Sequence, residues 1–340
     1  MTDLETGIPA DIFPENVEVW RKDRYRGGGF ELPPEQFESG EREVLRGLYD
    51  GLESLYRDWL AQRDAPDWDA LARRVEALAR GRVVLGLREL EATGRTNGSG
   101  EVRHRAKVVH DIRGGGLTSL VVQGELLEED PGDRELIRSA VLLARDHAKM
   151  MRNALPWLDP SGRARDEDEH PHHMDDVVRK WTDFRYLRPD DGEELRVEVG
   201  CRYDGLLATC CLEVSALDRV IFNLANNALR ASAAPRVRLE IDPVEPDAVR
   251  WLVVNAIDDE NQAWLSDKLG DEPQGLFEEG LSRGSHGLGL ANCADFVAAA
   301  FGLNDPGLAV EEGYVGVWFG NGLFAAWAHW PALERLGEEP

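Results

Sequence analysis

The stretch His110-Asp111-Ile112-Arg113-Gly114-Gly115-Gly116-Leu117-Thr118-Ser119 sets an imidazole beside a carboxylate inside a helical pattern. Around it, Val102, Ala106, Val109, Leu117, Leu120, Val121 and Leu127 fall on one broad face at helical spacing. Acidic residues, Pro and Gly in Glu128-Glu129-Asp130-Pro131-Gly132-Asp133 supply a turn and the start of a second arm. That arm carries Leu136, Ile137, Ala140, Leu143, Ala144, His147, Met151 and Leu155, so a helical hairpin is expected over about 98 to 155. Each mid-helix Gly costs up to about 1 kcal/mol relative to Ala, and three together predict a bend or a close helix contact. Two such wide apolar faces are covered fully only by more helices, which predicts a four-helix bundle made by two chains, a homodimer.

Outward from the hairpin, Val44, Leu45, Leu48, Leu52, Leu55, Tyr56 and Leu60 recur at three- and four-residue steps, and Leu71, Val75, Leu78 and Val83 continue the pattern after Pro66. Residues 1 to about 40 are rich in Pro, Gly and charge, with Gly27-Gly28-Gly29 and Pro33-Pro34, and read as a segment that wraps or trails. The expected division is 1–95, a helical region of unknown role; 96–156, the hairpin; 157–190, a linker; and 191–335, a further domain. The linker contains Asp166-Glu167-Asp168-Glu169 and His170-Pro171-His172-His173. Metal binding by these histidines is conceivable, but no further His or Cys stands at a completing ligand spacing, so a solvated linker is the favoured reading.

From about 195 onward strands and helices alternate. Strands are expected at Leu195 to Val199, Ala208 to Val214, Val237 to Ile241, Val249 to Asn255, Leu308 to Glu311, Val315 to Phe319 and Leu323 to Trp330. Helices are expected from a Ser215 cap, with Asp218 three residues on, to about Ala231, and from Leu288 to Phe301. That order predicts an α/β sandwich with helices on one face of a mixed sheet, within a multidomain chain.

At 340 residues and 42% hydrophobic content the chain can build two or three cores. A net charge of -25 argues against a direct nucleic-acid partner, whose phosphates call for Lys and Arg. No apolar run is long enough for membrane insertion, and Met1-Thr2-Asp3-Leu4-Glu5-Thr6 lacks a signal-peptide pattern, so a cytoplasmic location is expected. Cys201, Cys210, Cys211 and Cys293 show no C-x-x-C spacing and read as buried structural thiols in a reducing compartment.

Three further motifs lie downstream: Asn223-Leu224-Ala225-Asn226-Asn227-Ala228; Phe277-Glu278-Glu279-Gly280-Leu281-Ser282-Arg283-Gly284; and Gly287-Leu288-Gly289-Leu290. With the His110 stretch they resemble, in order and approximate spacing, the H, N, F and G2 boxes of two-component histidine kinases, over roughly residues 98 to 332. The resemblance implies a dimerisation and phosphotransfer hairpin followed by a Bergerat-type (GHKL) ATPase domain, the fold shared with heat-shock protein 90, gyrase and mismatch-repair ATPases. It places His110 as phosphoacceptor, Asp111 as the carboxylate that orients and deprotonates it, and Arg113 as a phosphate-steadying cation. Asn227 falls where the family holds Mg²⁺, with Asn223 one turn earlier and Arg230 where a basic residue meets phosphate. Gly287 and Gly289 open a helix toward phosphates.

The G1 box departs from the family, which has Asp-x-Gly-x-Gly. Here Asn255-Ala256-Ile257-Asp258-Asp259 follows the strand, with Asn255 at the adenine-binding Asp position and Ile257 at a glycine. What the resemblance implies is a cytoplasmic signalling kinase that uses ATP and Mg²⁺, phosphorylates His110 and passes the group to an aspartate of a response-regulator receiver domain. The alternative is a histidine phosphotransferase, or a pseudokinase scaffold, whose degenerate ATPase domain does not use ATP.

Overall fold

The computed structural model describes residues 8–9, 12–14, 17–20, 30–83, 86, 100–182, 184–188, 192–244, 247–270, 272–278 and 287–333. Two compact units divide the chain, one of residues 27–168 and the other of residues 1–26 together with 169–340.

In the first unit α1 (Ser39–Ala61) opens on a reciprocal pair of bonds between Glu38 and Glu41 and buries Leu45, Leu48, Tyr49, Leu52 and Leu55. Asp67 caps α2 (Trp68–Leu78), whose Leu71, Val75 and Leu78 are buried. The hairpin follows as α3 (Gly100–Arg113), α4 (Gly115–Glu129) and α5 (Arg134–Ala154), with Asp133 accepting from the Leu136 N–H at the start of the last. The first arm is thus two helices, broken where Gly114 turns to an extended conformation. The glycines also serve close contact: a Cβ at Gly116 would meet His147 Nδ1 at 2.8 Å, and one at Gly124 would meet the Ala79 Cβ at 2.6 Å.

The hairpin's apolar faces pack against helices of the same chain. α1 packs along α5, and α2 packs against α4 and α5. One core joins Leu45, Leu52, Leu71 and Val75 to Leu117, Leu120, Ile137, Val141 and Met151. Burying each such side chain stabilises by about 1.5–3 kcal/mol. The sequence pattern showed that further helices were needed but not that residues 39–78 would supply two of them.

The expected linker is also structured. A short turn at Pro156–Leu158 leads into α6 (Pro160–Glu167), capped by Asp159. Buried Arg152 on α5 donates to both oxygens of buried Asp166 at 2.7 and 3.0 Å, and reaches Tyr49 and Glu53 on α1. A buried guanidinium needs such paired acceptors, and this one draws three helices to a single point.

The second unit holds β1 (His172–His173), α7 (Met174–Trp181), β2 (Arg185–Leu187), β3 (Glu194–Cys201), β4 (Leu206–Ala208), α8 (Cys211–Ala231), β5 (Arg236–Val244), β6 (Ala248–Ala256), α9 (Asp259–Leu269), α10 (Gly289–Phe301), α11 (Pro306–Glu311), β7 (Val315–Gly320) and β8 (Leu323–Pro331). Its main sheet runs β2-β3-β5-β6-β8-β7, parallel only between β3 and β5, while β1 and β4 pair separately. α8 and α10 pack on each other and on the sheet. Val249, Trp251, Val253 and Asn255 alternate onto one buried face, as period two requires.

Leu252, Val254, Ala325 and Trp327 form a separate cluster with Ile8, Ile12 and Phe13 from the other end of the chain. The N-terminal segment wraps this unit: Phe13 meets Trp327 edge to face at 5.1 Å, Trp20 N donates to Phe301 O, and the Tyr314 hydroxyl donates to Glu18 O.

Two local expectations are corrected. The strand expected over 208–214 ends at Ala208, because Cys210 and Glu213 form the reciprocal cap of α8 and leave Ser215 buried inside the helix. Residues 308–311 are helical, since Asp305 caps α11 by accepting from the Gly307 N–H and Pro306 takes the first helical position. Among the described residues no helix is long and apolar enough to cross a membrane.

Candidate functional site

His110 lies in the last turn of α3, 23% exposed, and its Nδ1 is 3.4 Å from the Oδ1 of Asp111, whose side chain is 2% exposed. The separation is at the outer limit of a hydrogen bond. A carboxylate on that side favours the tautomer with the proton on Nδ1 and leaves the Nε2 lone pair as the nucleophilic one. Val108, Val109 and Ile112 are buried, so the helix face beside His110 is fixed by the core. Arg113 ends the same turn, where the partial negative charge of the helix C-terminus suits a cation.

The remaining candidates sit in the second unit. Asn223, Asn227 and Arg230 lie on α8; Asn223 is half-buried, while Asn227 and Arg230 are exposed. Gly287 has φ 65°, a left-handed conformation that favours glycine, and Gly289 is the first residue of α10. The Cys293 thiol contacts the Val220 carbonyl at 3.8 Å, and this contact lies one helical turn from Gly289 on α10 and one turn from Asn223 on α8. The two helices that carry these motifs therefore pack on each other. Phe277 is buried at the end of the Pro273–Phe277 turn, and residues 279–286 of the same motif lie outside the described residues.

Asn255 ends the buried face of β6 at 1% exposure. Its Nδ2 donates to Ala256 O at 3.0 Å, and its Oδ1 has no hydrogen-bond partner. A buried carbonyl oxygen left unpaired costs about 1–3 kcal/mol, which a ligand N–H would recover. Beyond it the backbone does not open as a glycine turn. Ile257 is buried with its N–H on Gly322 O at 2.9 Å, and Asp258 caps α9 through the Asn261 N–H at 2.7 Å. The end of β6 thus offers an unpaired amide oxygen next to a position filled by a buried isoleucine.

The sequence reading missed Cys211 as a companion of His170 and His172, because about forty residues separate them and only the β1–β4 pairing brings them together. It also grouped all four cysteines as buried, whereas Cys201 is exposed.

No family model and no curated protein matches the chain. Among solved structures, the chain is similar to the mycobacterial sensor histidine kinase MprB at 18% identity, covering 48% of this chain and 97% of that one with a TM-score of 0.30. Full-length ShkA in complex with AMPPNP matches at 18% identity over 76% of this chain and 45% of that one, TM-score 0.34. The histidine kinase domain of the Erythrobacter litoralis blue-light activated kinase EL346 matches at 15% identity over 74% and 94%, TM-score 0.33. These three structures are histidine kinases, each at under 20% identity to the chain.

Proposed function

We propose that the chain is a histidine-kinase-like signalling protein in which His110 accepts a phosphoryl group from ATP and passes it to an aspartate of a response-regulator receiver domain. The observation that carries this reading is the partly exposed His110 imidazole with its Nδ1 turned to the buried Asp111 carboxylate. In the proposed step the Nε2 lone pair attacks the γ-phosphorus, an N–P bond forms, and the bond to the bridging oxygen breaks as ADP leaves. In the second step the aspartate oxygen displaces His110 and restores the neutral ring.

The phosphates would be met by the backbone N–H groups at the start of α10, and the Asn227 amide oxygen is a hard ligand suited to Mg²⁺, which would neutralise phosphate charge. Asn223 and Arg230 border the same side of α8, and the unpaired Oδ1 of Asn255 would accept from an adenine amino group. Arg113 would steady the phosphoryl group on His110 through charge-assisted hydrogen bonds.

Buried Ile257 and the Asp258 cap favour a second reading, a phosphotransferase or pseudokinase scaffold in which the nucleotide is not used. Incubation with γ-labelled ATP and Mg²⁺ separates the two. Acid-labile label that disappears in His110→Gln, with the circular dichroism spectrum unchanged, is the expected result. Label that survives this substitution would remove His110 from its role, and no label at millimolar ATP would favour the second reading.

A further inference from the structure

We infer that His170, His172 and Cys211 form a binding site for a divalent transition metal of the zinc class, at the end of α8 remote from its asparagines. One ligand atom from each residue lies within 4.8 Å of the other two. His170 Nε2 is 2.9 Å from Cys211 Sγ, and the rings of His170 and His172 are 4.6 Å apart between centroids. Two imidazoles and a thiolate around tetrahedral Zn²⁺ stand roughly 3.3–3.8 Å from one another, given metal bonds of about 2.0–2.3 Å. The His170–Cys211 pair would open by roughly 0.6 Å, and a separation near the 4.8 Å limit would close by about 1 Å.

The site is built by the fold rather than by flexible side chains. His172 pairs with Ala208 in the β1–β4 ribbon, and His170 N donates to Thr209 O at 2.5 Å, so the backbone holds both histidines against the start of α8. Glu213 fixes that start by accepting from the N–H groups of Thr209 and Cys210 at 2.7 and 3.1 Å. The Cys210 thiol accepts from the helix backbone as part of the same cap, which leaves Cys211, the first residue of α8, as the thiol aimed at the histidines. The helix N-terminus stabilises the thiolate that a metal requires.

Binding converts the thiol to a metal-bound thiolate and releases its proton to solvent. Soft sulfur and imidazole nitrogen select a zinc-like ion over Mg²⁺ or Ca²⁺. Three protein ligands leave the fourth tetrahedral position for water, which the partial exposure of both histidines admits. Residue 169 begins the second unit's main segment, so the metal would pin its first residues to α8. Asn227 lies sixteen residues along that helix, about 24 Å away, so the site is separate from the proposed Mg²⁺ ligand and independent of the kinase reading.

The test uses the full chain, stripped with a chelator and titrated with Zn²⁺ by calorimetry and with Co²⁺ by absorption. One Zn²⁺ per chain is expected, with a thiolate-to-cobalt charge-transfer band and tetrahedral d–d bands that Zn²⁺ abolishes. Cys211→Ser should remove the charge-transfer band, and His172→Ala should weaken binding at least tenfold. Cys201→Ser and His173→Ala should leave both signals intact. Absence of stoichiometric Zn²⁺ uptake, or a charge-transfer band that persists in Cys211→Ser, would overturn the assignment. Should Cys211→Ser not fold, His172→Ala decides alone, because unchanged affinity in that variant is equally fatal.

Discussion

Burial drives the imidazole of His329 down from its ordinary value of 6.5 to about 4, and the neighbouring Arg250 charge acts in the same direction. Its Nδ1 is 3.0 Å from Tyr314 O within the fully buried end of β8. The unfolded chain therefore takes up the proton first. The contribution is present in full above pH 6.5 and is lost as pH falls from there through about 4, up to the order of 3 kcal/mol. Thermal melts across that range should show His329→Gln losing stability less steeply than the natural chain, and parallel curves would refute the linkage. At Asn255 the issue is affinity. Asn255→Asp combined with Ile257→Gly should strengthen ATP binding by about tenfold in a calorimetric titration, since a charged acceptor adds roughly 1.5 kcal/mol and the glycine reopens the approach. No gain would mean that adenine does not bind at this end of β6.

At the level of elements, the close approach of Gly124 to Ala79 joins α4 to the turn that ends α2. A Cβ has no flexible neighbour to displace there, so Gly124→Val should cost about 1–3 kcal/mol by overpacking, read as a lower midpoint in urea at unchanged slope. An unchanged midpoint would show that the helices part easily. Helices α1, α2, α5 and α10 were legible because their apolar residues recur at helical steps, and the turn at 130–133 because Asp, Pro and Gly punctuate it. α6 was not, since its buried Gly162, Arg163 and Asp166 are polar or small and their burial depends on Arg152. The start of α8 was misjudged because the apolar run Leu206 to Val214 fits strand or helix equally until the Cys210–Glu213 cap is seen.

For the whole molecule, the N-terminal segment belongs to the C-terminal unit, where Phe13 lies between Trp327 and the Arg250 guanidinium, 4.0 Å from its ring centroid. Phe13→Ala should remove about 1–2 kcal/mol of aromatic and cation–π interaction. Hydrogen exchange should then speed up in β6 and β8 and stay unchanged in α1 through α5; uniform exchange would contradict this division. The sequence by itself determined that a helical hairpin precedes an α/β sandwich, and it marked His110, Asn227 and Gly287 as candidates, because periodicity and motif spacing are local properties of the chain. Only the tertiary structure decided what covers each apolar face. α1 and α2 pack on the hairpin, Ile8, Ile12 and Phe13 cover the back of the sheet, and Cys211 joins His170 and His172. An apolar face records in its periodicity that it needs cover but not which distant segment supplies it, so the need is written locally while its source is not.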